Sequence, residues 1–141
     1  MCWIDHGGGQ RELGDVAKKL DEKYHPQGIR VVFCDEVYAK AMSDFDKWLA
    51  DNGYPVSTHA GIPDTSEMLY LGGDQGWVRK AEIANAVGDP IRKPGEERDP
   101  NVKRVNNGIT GDARKSTADL GKRFFDMKVA YAVAQIGRLL N

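Results

Sequence analysis

The chain has no excess of basic charge. Its 20 Lys and Arg stand against 21 Asp and Glu, a formal net charge of -1. Without a basic face, nucleic acid is excluded as the main partner. No run of apolar residues is long enough to cross a bilayer. No charged-then-apolar leader opens the sequence, so the expectation is a cytoplasmic protein with no membrane partner. Cysteine is scarce: Cys2 and Cys34 are too few and too far apart for a disulfide framework or a zinc knuckle. Both read as small apolar residues. Histidine is equally scarce, with His6, His25 and His59. H-E-x-x-H, G-x-S-x-G, P-loop and G-x-G-x-x-G patterns are all missing, as are internal repeats.

What is present is a globular composition, 40% hydrophobic and 29% charged over 141 residues, enough for one domain, 1–141, with its own core. Cys2–Ile4 is a short apolar strand candidate. Leu13, Val16, Ala17, Leu20 and Tyr24 follow at helical spacing, which predicts a helix over Gln10–Tyr24. Ile29–Cys34 (IRVVFC) is β-branched and suits a strand covered on both faces. Strand, helix, strand in that order predicts a parallel βαβ unit with Cys2–Ile4 and Ile29–Phe33 as neighbours. Tyr38, Ala41, Met42, Phe45, Trp48 and Leu49 line a second helix that Asn52-Gly53 closes. A third helix is expected from Asp64. A last one follows Ser116, with Phe125, Val129, Ala132, Val133, Ile136 and Leu140 as its apolar stripe, widened by Leu120, Phe124 and Tyr131. Between them, roughly Gly88 to Gly111, lies a long irregular stretch of the kind that is usually functional or disordered.

Three stretches carry chemistry. His6-Gly7-Gly8-Gly9 stands at the end of the first strand candidate, where open α/β sheets place ligands. It reads as a turn with a solvated histidine or as a metal-ligating histidine. "THAGIPDTSEMLYL", Thr58 to Leu71, frames a helix entry with His59 and Asp64, and on spacing alone Asp64 is an N-cap. "NNGITGDARKSTADLG", Asn107 to Gly121, reads as two turns and a capped helix.

Taken in order, these stretches resemble the creatinine amidohydrolase (creatininase) family. Asp5-His6-Gly7-Gly8-Gly9-Gln10 matches the family's D-H-G-G-N turn. His59-Ala60-Gly61-Ile62-Pro63-Asp64-Thr65-Ser66 matches its H-A-G-x-x-[ED]-T-S loop. Gly108-Ile109-Thr110-Gly111-Asp112, then Ser116-Thr117 and Gly121, matches its last segment, with Ala113 where the family has proline. The resemblance implies an α/β fold, three-layered, with a parallel-rich sheet flanked by helices. It implies a divalent-metal site (Zn, Mn or Fe) whose activated water opens a C–N bond of a cyclic or formyl amide. By residue-wise transfer, His6 and Asp64 are metal ligands, His59 is catalytic, and Gly7, Gly8 and Gly9 shape the substrate turn. The family's E-x-H pair and later aspartate have no counterpart here. The expectation is therefore a partial domain, the C-terminal half of the family's fold. Such a domain would be a homo-oligomer completed by another chain, or a non-catalytic remnant serving as a binding module. Trp3, Trp48, Trp77 and Phe124 are the candidates for its exposed surface.

Overall fold

The structure is a computed structural model that describes residues 6–93, 95–97 and 99–140. Four α-helices carry it: α1 (Gln10–Tyr24), α2 (Ala39–Asp51), α3 (Ile62–Gly72) and α4 (Ala118–Leu140). The chain divides into two compact units, Met1–Asp44 with Asp126–Asn141, and Phe45–Phe125.

In the first unit, α1 has the bounds its apolar spacing predicts, and it buries Ala17. A 3₁₀ turn over His25–Gln27 with Pro26 ends it, and Gly28 follows in the left-handed conformation. Cys34, Val37 and Ala41 are the other core residues here. Polar bonds tie the second half of α4 to α2 and to the segment that leads into it. The Tyr131 hydroxyl donates to Asp44 Oδ2, and Lys40 Nζ lies 2.9 Å from the same oxygen. Gln135 Nε2 donates to Asp35 Oδ1 at 2.8 Å, and Arg138 pairs with Glu36 at 2.5 Å.

The second unit is built on aromatic packing. Phe45 and Phe124 are fully buried and stack at 4.7 Å, and Trp48 lies parallel to Phe45 at 6.1 Å. The Arg123 guanidinium sits 4.3 Å above the Trp48 ring. Ile62, Pro63, Ser66, Ala113 and Leu120 fill the rest of this core.

The expected parallel-sheet α/β fold is not what the chain adopts. Helices dominate, and among the described residues there are only isolated bridges and no sheet. The first strand candidate, Cys2–Ile4, lies outside the described residues. The second, Ile29–Phe33, is extended chain with Ile29 half exposed and one bridging residue, Phe33. Elsewhere β-structure is limited to isolated bridges: Ser57 with Gly111, Val87 with Asp112, and Asp89 with Thr110. A β-branched run acquires a ladder only when a neighbour presents its backbone along the same length, and single bridges do not extend into one. The last helix buries only part of its predicted apolar stripe. Leu120 and Phe124 are buried, whereas Val129, Val133 and Leu140 are exposed. Phe124 is thus core rather than surface, and Trp77 remains exposed. Among the described residues, no helix is long and apolar enough to cross a membrane.

Candidate functional site

The His59 segment is held by the third motif stretch. The Thr58 N–H donates to the Thr110 carbonyl at 2.9 Å, and the Thr110 N–H donates to the His59 carbonyl at 3.0 Å. The His59 side chain is left exposed to solvent. Immediately after it, Ala60 takes a φ of 50°, which costs an L-residue roughly 1–2 kcal/mol. The next residues of the motif hold that conformation in place. Asp64 Oδ2 accepts the Ala60 N–H at 2.8 Å, and Thr65 Oγ1 donates to the Ala60 carbonyl at 3.1 Å.

Helix α3 begins at Ile62, two residues before the position expected from spacing, with Pro63 in its first turn. Its cap comes from upstream: the buried Ser57 Oγ accepts the Ile62 N–H at 2.8 Å. Asp64 is therefore a first-turn residue that reaches back, in the manner of the returning half of a capping box. Ser66, also fully buried, accepts the Thr117 N–H at 3.2 Å. Thr117 in turn accepts the Leu120 N–H and opens α4. Gly121 lies against the Ser66 carbonyl so closely that a Cβ there would stand 1.9 Å from the oxygen. The second and third motifs are thus one interlocked frame around the exposed His59.

Charges are set at the frame's edges. Arg114 grips Asp112 with two side-chain bonds, 3.0 and 2.6 Å, and a backbone bond at 3.0 Å, and this lowers the carboxyl to about 2. Crowding by the surrounding protein raises the Asp46 carboxyl, and the nearby Asp64 carboxylate pushes in the same direction.

His6 and Gly7–Gly9 belong to the first unit. Gly9 precedes α1 with a φ of 85°, a conformation open to glycine at little cost. The His6 Nδ1 accepts the Gly8 N–H at 3.0 Å. With that lone pair engaged, a neutral ring carries its proton on Nε2 and offers a donor there instead of a metal-binding lone pair. Asp64 likewise has one oxygen committed to Ala60. Among the described residues, no three His, Cys, Asp or Glu side chains gather as a metal-holding group, and a divalent site uses three or four donors. These residues as placed do not fit a metal centre. The residues that sequence reasoning passed over are Ser57, Thr65 and Arg114. Thr65 is a motif letter that was given no role and Ser57 stands just before the quoted stretch, and only their bonds reveal what they hold.

The family model described as creatininase, creatinine amidohydrolase, matches residues 3–136. The chain belongs to the creatininase family. The match takes in the His6 turn, the His59 loop and the Thr110 segment alike, so it extends over most of the chain. No curated protein and no solved structure matches this creatininase-family chain.

Proposed function

We propose that the chain is an amidohydrolase that opens a C–N bond of a cyclic or formyl amide. His59 is its catalytic histidine, positioned to move a proton at the amide. Family membership supports the class of reaction. One observation supports the residue: His59 is the exposed side chain of a loop whose backbone is fixed at residues 58, 59 and 60 by Thr110, Asp64 and Thr65. A fixed backbone with a free imidazole suits a group that must meet a substrate in one orientation. Gly7, Gly8 and Gly9 are read as a substrate-facing turn, and His6 as a further polar group of that turn. Any divalent ion would need donors beyond those gathered here, and a second copy of the chain is their proposed source.

A second reading, a binding module without hydrolysis, is favoured by the engagement of His6 Nδ1 and Asp64 Oδ2 with backbone N–H groups. One assay separates the two. The purified chain is incubated with a panel of cyclic and formyl amides, with and without added Zn, Mn or Fe. The amidohydrolase reading expects hydrolysis of at least one member and a loss on the order of a hundredfold or more in His59→Ala, in line with the usual contribution of acid–base groups. No hydrolysis under any condition, or full activity in His59→Ala with the fold intact, overturns it.

A further inference from the structure

The first unit hides little of its apolar surface. Its buried apolar side chains among the described residues are Ala17, Cys34, Val37 and Ala41, none larger than valine. The half of α4 that belongs to this unit turns larger ones outward. Val129, Val133 and Leu140 are 46%, 65% and 80% exposed, and Ile136 between them is half-buried. The four stand four, three and four residues apart, which sets them in one row along the helix. Tyr131, Gln135 and Arg138 lie on the opposite side, where they bond to Asp44, Asp35 and Glu36. The row is therefore the outer side of α4. Ala130 and Ala134 are exposed beside it, and a Cβ added at Gly137 would meet nothing within 4 Å. No charged residue occurs from Val129 to Gly137.

We propose that this row is a contact surface for a second copy of the chain, packed helix against helix through Val129, Val133, Ile136 and Leu140. The spacing favours that occupant. Apolar residues alternating three and four apart seat as knobs into the holes of a helix with the same pattern, and a two-fold contact needs a patch that complements itself. The neighbours favour it too, because small side chains beside a row let a second helix come close. An uncharged face also meets its own copy without like-charge repulsion. A helix that lies on a membrane instead flanks its apolar face with Lys and Arg, and here the flanks are alanine and glycine. Three turns of helix cover less than the roughly 800 Å² per partner of a standard interface, so the pairing is weak and reversible. The inference uses no residue of the His59 loop and stands apart from the amidohydrolase reading.

The test is sedimentation velocity of the full chain from micromolar to near-millimolar concentration. The expected mass rises from one chain to two. Val133→Glu and Val133→Lys each raise the dimer Kd at least about tenfold, since each sets like charges against one another. Residue 133 lies near the middle of the row, so its two copies come within a turn of each other in either helix direction. An equal mixture of the two variants therefore associates again. Circular dichroism melts of both variants match the parent, as expected for so exposed a position. Val56→Glu, at a position 70% exposed in the second unit, leaves the dimer unchanged. The proposal is overturned by a chain that stays single at every concentration, by a dimer that Val133→Glu leaves intact, or by a mixture that fails to associate. Flotation of a monomeric parent with phosphatidylserine vesicles, lost in Val133→Glu, would also overturn it and assign the row to a membrane surface.

Discussion

The protein packed around Asp46 raises its carboxyl pKa, and the Asp64 carboxylate adds to the effect. A carboxyl whose pKa is raised in the folded state is charged at a cost once the pH exceeds that value. Below the unfolded-state value, near 4 for aspartate, it is protonated in both states and the cost is gone. Asp46→Asn removes the charge permanently. The variant should melt at a higher temperature than the parent at pH 7, and the difference should close as the pH is taken below about 4. Equal melting temperatures at pH 7, or a gain that persists in acid, would show that Asp46 bears no such penalty. At this scale the sequence was readable for identity and unreadable for engagement. His59, Asp64 and Ser66 stand out as motif letters. That Asp64 bonds the amide of Ala60, or that Ser57 caps α3 from five residues upstream, depends on a positive φ at Ala60. Nothing in the residue type alanine announces that conformation.

Among the elements, the closest fit is between α3 and the start of α4. Gly121→Ala would drive a methyl into the Ser66 carbonyl, and backbone cannot yield as a side chain can. The expected loss is about 3 kcal/mol, the upper part of the range for overpacked cores, read as a lowered denaturant midpoint. Gly137→Ala, on the same helix with open space around it, should be neutral or slightly stabilising. The helices were the legible part of the fold. The apolar spacing of Leu13 to Tyr24 and the Asn52-Gly53 stop are local signals, and local hydrogen bonds answer them. The lack of a sheet among the described residues was not legible, because a strand is half of a pair. IRVVFC states a preference for extended chain, but the partner that would make it a strand is encoded elsewhere. The buried side of α4 was only partly legible for a related reason. Phe124 and Leu120 follow the packing of Phe45, and the more regular stripe through Val129 and Val133 faces solvent.

For the molecule as a whole, the two bonds between Thr110 and residues 58–59 have a further consequence. They close the neck of a long excursion of the chain. Above the neck, residues 99–108 are exposed throughout, and exposed polar stretches of this kind are where proteases cut. Below it, Phe45 stacks on Phe124, and Ser66 receives Thr117. A single cleavage near Lys103 therefore severs the covalent chain without severing the packing. Limited trypsin digestion should give two bands on a denaturing gel and one undivided particle on a sizing column. Separation of the fragments under native conditions would contradict this. The second unit would then behave as a self-complementing pair, whose halves could be made as separate polypeptides and recombined. The His59 loop would arrive with one half and its Thr110 clasp with the other.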